Sequence, residues 1–193
     1  IEGNAAIGWN QVLTAAAWDA DLQSRVDQLL AAPWEGFDAT GAAGELRASY
    51  DTLAQFVEMA SRRDSCDWQS PIRQQGFDVL MPELGRYRTL SKLLRLRARN
   101  AMHNNDFAGA VGAVRDGLEL ARDLSGAKTA VQALVGVAIG RAMVDEVEII
   151  ASRPGAPSMY WALADLPRPF FAASTFNVYE EAMLDFTVPS LRE

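Results

Sequence analysis

The stretch between residues 127 and 153 constrains the fold most, because it has the length of a long helix and almost no polar face. Between Val131 and Val144, only Gln132 and Arg141 are strongly polar. A helix that is apolar on every side is expected to be buried against other parts of a protein. The sequence therefore predicts an all-α fold, an irregular helical bundle or short α-solenoid, built around a buried central helix at 127–153.

Helix start and stop signals divide the rest of the chain. Asn4, Asp19 and Asp106 are predicted N-caps, and Ser125 is the predicted N-cap of the central helix. The predicted helices cover residues 4–17, 19–32, 40–63, 82–104, 106–124, 127–153, 159–165 and 170–184. We predict that residues 1–193 form a single all-helical domain. Because the sequence begins at Ile1 without an initiator Met, we also expect it to be a fragment of a longer protein.

Glycines inside the predicted helices indicate how the centre packs. Gly136 and Gly140 are four residues apart, so they share one face of the central helix, and Gly109, Gly112 and Gly117 lie in the preceding helix. Glycine costs about 1 kcal/mol relative to alanine in a helix interior. We therefore predict that a neighbouring backbone approaches closely at these positions.

Charge and composition exclude several classes of function. The 193-residue chain has a net charge of −7 at pH 7, which argues against binding to nucleic acid or to an anionic membrane surface. The longest strongly apolar run, residues 134–139, is much shorter than the roughly 18 residues that predict a membrane span. Cys66 is the only cysteine and His103 the only histidine, so we predict no intrachain disulfide, no zinc site of the usual Cys/His kind and no cofactor.

Residues 94–124 resemble one tetratricopeptide (TPR) hairpin. Small and large apolar residues alternate so that two antiparallel helices can nest, at Leu94, Ala98, Ala101, Phe107, Ala110, Val111, Val114 and Leu118. Arg97 and Gly117 depart from the family pattern, and no second copy follows at the repeat spacing. The resemblance implies a TPR-like antiparallel hairpin and, by analogy with that family, a protein-binding role.

Most of the chain is also similar to an uncharacterised bacterial all-helical family, often exported and often longer than this sequence. The similarity lies in the Cys-Asp-Trp stretch at 66–68, in the apolar run at 132–139 and in the aromatic and proline-rich stretch at 156–169. It implies an extracytoplasmic location, with a cytoplasmic location as the alternative, and it implies no activity. It also indicates that Glu193 is a boundary within a longer protein.

The strongest charge pattern is a basic stripe, Arg88, Lys92, Arg95 and Arg99, spaced four, three and four residues apart on one predicted helix. One hypothesis is that this stripe lines a groove for an acidic peptide or anion. The alternative is internal ion pairing, which contributes only about 0–1 kcal/mol for each exposed pair.

Internal pairing has a predicted register, because the hairpin turns near residue 105. Position 95 then lies beside Asp116, position 92 beside Glu119 and position 88 beside Asp123. Arg99 has no partner in this register, so it is the residue expected to reach outward.

Two other stretches are candidates for function. Cys66 and His103 are residue types that can form a thiolate–imidazole pair, although a cysteine beside Trp68 is more typical of a buried hydrophobic anchor. A proline bend at 166–169 is predicted either to present a peptide- or sugar-binding platform or to close one end of the core as a lid. Its flanking aromatic residues are Tyr160, Trp161, Phe170 and Phe171.

The sequence is best interpreted as a noncatalytic protein- or peptide-interaction or scaffold module that binds through Arg88, Lys92, Arg95 and Arg99. The alternative is a small-ligand-binding or hydrolytic domain that uses the loop from Cys66 to Trp68. No catalytic, cofactor-binding or metal-binding residue is predicted. The identity of the partner and the oligomeric state stay open.

Overall fold

The computed structural model describes residues 1–68, 83–127 and 129–171, and the all-α prediction is confirmed. Apart from one bridge between Asn4 and Ser65, the regular structure of this part is helical. The predicted helix start at Pro82 and the predicted helix beyond residue 171 lie outside these ranges. The α-helices are α1 (Ala5–Ala15), α2 (Ala20–Ala31), α3 (Ala39–Ser49), α4 (Ala54–Ser61), α5 (Glu83–His103), α6 (Phe107–Ser125), α7 (Ala130–Ala151) and α8 (Tyr160–Ala164).

Helices α5, α6 and α7 form the centre of the bundle. Helix α6 packs against both α5 and α7, while α2 and α3 cover α5, and α4 packs against α1 and α6. No helix of the described residues is both long and apolar enough to cross a bilayer. The largest fully buried apolar side chains are Trp9, Leu53, Leu90, Leu93, Leu94, Leu96, Leu120, Leu124, Met143 and Ile150.

Most of the predicted helix caps are confirmed. Asn4, Asp19 and Asp106 each accept a hydrogen bond from a backbone N–H in the first turn of α1, α2 and α6. The prediction for Ser125 is wrong, because Thr129 caps α7 and the hydroxyl of Ser125 donates to a carbonyl within α6.

The predicted helix at 40–63 is two helices in the structure. The chain turns between Tyr50 and Leu53, both of which are buried. This turn lets α3 pack against α5 while α4 packs against α1 and α6. Neither glycine nor proline lies at the turn, so the strongest local signals for a helix break are missing.

Helix α7 is not buried on all sides, so that part of the central-helix prediction is wrong. The helix packs on α6 and α5, but Val131, Leu134, Val137 and Val144 are 59%, 68%, 40% and 41% exposed. An apolar pattern shows which faces can be buried. It does not show whether another element is present to cover each face.

Backbones of α6 and α7 approach closely at Gly136, as predicted. A Cβ atom at this position would lie 2.6 Å from both the Ala121 carbonyl oxygen and the Ser125 nitrogen. At the other four helical glycines of this set the prediction is wrong, because an added Cβ would meet side chains or, at Gly112, nothing within 4 Å. A Cβ at Gly117 would collide with the side chain of Met143. These two glycines therefore allow α6 and α7 to pack at short range.

Replacing Gly136 with alanine is expected to destabilise the protein by about 1–3 kcal/mol, because the backbone of α6 must move away from the new methyl group. The matched control is Gly44→Ala in α3, where a Cβ meets nothing within 4 Å. That change should stabilise the protein by about 0.5–1 kcal/mol through helix propensity. Urea unfolding measures both values. Equal effects of the two substitutions would contradict the close approach of α6 and α7.

Candidate functional site

The basic stripe is largely occupied by contacts within the protein. Arg95 Nε lies 2.9 Å from Glu146 Oε1, and Arg99 Nη2 lies 3.1 Å from the same oxygen. Arg99 Nη1 also donates to the Leu30 carbonyl oxygen at 2.9 Å. Glu146 is 0% exposed and Arg99 is 9% exposed, so the expectation that Arg99 reaches outward is wrong.

The other two members of the stripe lie closer to the surface. Lys92 Nζ pairs with Asp27 of α2 at 2.7 Å. Arg88 is exposed and forms no ion pair with any residue that the structure describes. Of the four side chains predicted to bind a partner, Arg88 is therefore the one that is exposed and not engaged in an ion pair with a described residue. Partner binding by this set stays a prediction.

The predicted register of ion pairs across the hairpin is wrong. Asp116 pairs with Arg97 at 3.3 Å and with Arg115 at 3.1 Å instead of with Arg95. Asp123 accepts a hydrogen bond from Trp9 at 2.7 Å instead of pairing with Arg88. The register gives the position of each residue along the axis of the hairpin. It does not give the face of the helix on which the side chain lies. Arg97 lies on the face of α5 toward α6. Within the basic stripe, Lys92 faces α2, and Arg95 and Arg99 face α7.

Sequence reasoning missed Glu146 as the residue that organises this cluster. It lies on the buried face of α7 between Met143 and Ile150. The sequence indicates this position only by its spacing, because Glu146 is three residues after Met143 and four residues before Ile150 and so shares their face of the helix. Buried carboxylates are rare unless they are paired.

Glu146→Gln is expected to destabilise the protein by about 3–5 kcal/mol, because it leaves the guanidinium groups of Arg95 and Arg99 without their buried counter-charge. The control is Asp145→Asn, which breaks an exposed pair with Arg141 and should cost about 0–1 kcal/mol. Thermal and urea unfolding compare the two variants. If both cost the same small amount, the buried cluster does not hold α5 against α7.

A second polar cluster forms where the loop after α4 meets the start of α1 and the end of α6. The side chain of Asn4 exchanges two hydrogen bonds with the backbone of Asp67, each 2.8 Å long. The backbone carbonyl oxygen of Ser65 accepts a hydrogen bond from the backbone N–H of Ala5 at 2.8 Å. The indole N–H of Trp68 donates to the Asp123 carbonyl oxygen at 2.9 Å. The loop is therefore fixed to two helices.

This loop forms one wall of a cavity of about 260 Å³ that we call the Asp123 cleft. The proline bend that follows α8 forms the opposite wall. The loop at 66–68 and the bend at 166–169, which the sequence indicates as two separate candidates for function, thus meet at the end of α6. The cleft is lined by Asp64, Cys66, Arg122, Asp123, Ser125, Gly126, Pro167, Pro169 and Phe170.

Burial shifts the pKa values of two groups in the Asp123 cleft. It raises the pKa of Asp123 to about 6, against the opposing hydrogen bond from Trp9. Burial, reinforced by the nearby Asp123 carboxylate, also raises the pKa of the Cys66 thiol. Cys66 is therefore a protonated thiol at neutral pH, which is a poor nucleophile.

The structure does not bring Cys66 and His103 together. His103 is exposed and lies beside Phe37, at a ring-centroid distance of 6.4 Å, near the start of α6. Cys66 lies at the other end of this 19-residue helix, which is about 28 Å long. A thiolate–imidazole pair between these two residues is therefore not formed.

The aromatic residues after α7 divide between core and surface. Tyr160 is 68% exposed, whereas Phe171 packs against the core. Phe170 and Phe171 meet edge to face, with centroids 4.9 Å apart. A Cβ at Gly140 would lie 2.5 Å from the ring of Phe171, so the bend rests on α7 at that glycine. Phe171 thus matches the predicted lid, whereas Tyr160 does not.

A larger hollow of about 590 Å³ runs along the outer face of α6, and we call it the Gly112 groove. Apart from Arg115 at its edge, the side chains that line it are apolar. Its lining residues are Phe107, Ala108, Val111, Gly112, Arg115, Gly155 and Pro157.

Comparison of the chain with protein-family models, curated proteins and solved structures finds no match. The resemblances to a TPR hairpin and to a bacterial helical family therefore stay predictions. Within the described ranges, no group of three or more His, Cys, Asp or Glu side chains is placed to hold a metal ion.

Asp123→Asn tests the raised pKa of Asp123. Between pH 4 and 6 the unfolded state ionises this group while the folded state keeps its proton, so the wild type loses stability as pH rises. The variant lacks this loss. Its stability relative to wild type should increase by an amount on the order of 2–3 kcal/mol between pH 4 and pH 7. Urea unfolding at several pH values measures this difference, and a difference that does not change with pH would contradict the shift.

Proposed function

We propose that this chain is a noncatalytic interaction module that binds an apolar peptide segment in the Gly112 groove. The observation that carries the proposal is an open apolar hollow on α6 with a glycine in its floor. A helical position usually disfavours glycine, at a cost of about 1 kcal/mol relative to alanine. A glycine there needs a physical reason.

Packing within the protein accounts for Gly117 and Gly136 but not for Gly112. At the first two positions a Cβ would collide with Met143 or with the backbone of α6. At Gly112 a Cβ would meet nothing within 4 Å. An approaching peptide would benefit from this missing side chain, because it could reach the backbone of α6 directly.

The walls of the Gly112 groove favour an apolar occupant with an acidic neighbour. Phe107 and Val111 are half-buried, and Pro157 is exposed on the opposite side. Arg115 has a side chain that is 54% exposed although it pairs with Asp116. Its remaining guanidinium N–H groups are able to donate to a carboxylate of the bound peptide.

This groove is better suited to binding than the basic stripe, the surface to which the sequence analysis assigned the interaction role. Arg95 and Arg99 would have to leave the buried Glu146 carboxylate before they could bind a partner, and separating a buried ion pair is costly. Occupying the Gly112 groove breaks no contact of this kind. The role proposed from the sequence is therefore kept, and the surface proposed for it changes.

Selection of a displayed random-peptide library against the full chain tests the proposal. Selected peptides should combine an aromatic or large aliphatic residue with an acidic residue nearby. Gly112→Leu fills the groove and should weaken the binding of a selected peptide by about tenfold or more, measured by fluorescence polarisation. Gly44→Leu, at the equally open glycine of α3, gains the same helix propensity and should leave binding unchanged.

Two results would contradict this function. One is selection of peptides that bind Gly112→Leu as tightly as the wild type. The other is selection of peptides whose binding disappears when Arg88 alone is changed to Ala, because that residue belongs to the basic stripe on α5.

A further inference from the structure

The Asp123 cleft contains a buried carboxylate with unused hydrogen-bonding capacity. Asp123 is 7% exposed, and its Oδ2 atom accepts the indole N–H of Trp9 at 2.7 Å. Its Oδ1 atom accepts no hydrogen bond from any residue that the structure describes. The nearest approach of a guanidinium is that of Arg122 Nη2, 3.9 Å from Oδ1 and beyond hydrogen-bond distance. A buried carboxylate in this state favours a cationic hydrogen-bond donor as its partner.

The charges around the cleft also favour a cation. Arg122 is the one basic residue in the lining, and its guanidinium pairs closely with Glu119. It therefore neutralises Asp123 only in part. Asp64 adds a second carboxylate to the lining, and the C-terminal end of α6 carries a partial negative charge.

Shape and chemistry limit this cation to a small organic one. The volume of about 260 Å³ lies below the roughly 300–1,000 Å³ of pockets for drug-sized ligands. Pro167, Pro169 and Phe170 give an apolar wall, and an aromatic ring attracts a nearby cation. The described residues place no group of three His, Cys, Asp or Glu side chains, of the kind that holds zinc or calcium in proteins.

We propose that the Asp123 cleft binds a small primary alkylammonium ion. The ammonium group donates a hydrogen bond to Asp123 Oδ1, and the alkyl chain lies against Pro167, Pro169 and Phe170. This site is separate from the Gly112 groove, so its occupancy does not depend on the proposed peptide binding.

Nuclear magnetic resonance of the ¹⁵N-labelled full chain tests the proposal at the site itself. The reporter is the indole N–H of Trp9, which donates to Asp123 and is assigned with Trp9→Phe. Butylammonium chloride should shift this resonance in a saturable manner. Butan-1-ol has a similar shape without the charge, and potassium chloride has the charge without the alkyl chain. Neither should produce a saturable shift.

Substitutions then identify the carboxylate that is responsible. Asp123→Asn should weaken butylammonium binding about tenfold or more, which the Trp68 indole N–H can report. Asp145→Asn, on the surface of α7, should leave binding unchanged. If Asp123→Asn does not fold, Asp64→Asn and Phe170→Ala are the alternative variants, because each changes one side chain that lines the cleft. Each should weaken butylammonium binding at least about twofold.

The proposal is overturned if butan-1-ol binds as tightly as butylammonium, because the cleft would then be only an apolar hollow. It is also overturned if folded Asp123→Asn, or the pair Asp64→Asn and Phe170→Ala, keeps wild-type affinity. A wild-type Trp9 resonance that does not move up to high millimolar butylammonium has the same consequence.

Discussion

The arrangement of α2, α5 and α7 depends on the ion pairs that the buried Glu146 carboxylate forms. Glu146 is 0% exposed and receives Arg95 and Arg99 from α5, while Arg99 continues to the carbonyl oxygen of Leu30. Three helices are thereby joined through one buried group. Because a buried charge is tolerated only with its partners in place, rotation of α5 relative to α7 would be costly. This contact therefore fixes which faces of α5 are available to the surface.

Helix α6 carries both of the surfaces that we propose for binding. The Gly112 groove follows its outer face, and the Asp123 cleft lies at its last turn. The helix itself is held by close contact with α7 at Gly136 and by the hairpin to α5. Residues on such a firmly packed helix keep their relative positions, which is a requirement for specific binding. The two proposed sites thus share one rigid support but differ in chemistry, one apolar and the other anionic.

Local features of the fold were predictable from sequence because they depend on neighbours in the chain. Asn4, Asp19 and Asp106 cap helices as expected, and Asn105 adopts the left-handed backbone, φ 58°, of the predicted turn. Apart from the cap of α7, which is Thr129 instead of Ser125, the errors concern contacts between distant elements. The turn at 50–53 contains neither glycine nor proline. It forms because α3 and α4 pack against different helices. Glu146 and Asp123 are carboxylates whose burial depends on helices far away in the chain.

The sequence by itself determined that the chain is helical, where most helices begin and which residues are able to form a core. Helical periodicity and capping are properties of adjacent residues, so no tertiary information is needed for them. Only the tertiary structure decided which polar groups meet. It paired three of the four residues of the basic stripe with Glu146 and Asp27. It brought the loop at 66–68 to the proline bend. It also left the outer face of α6 open. These outcomes follow from the rotation of each helix about its axis, which a one-dimensional pattern does not specify.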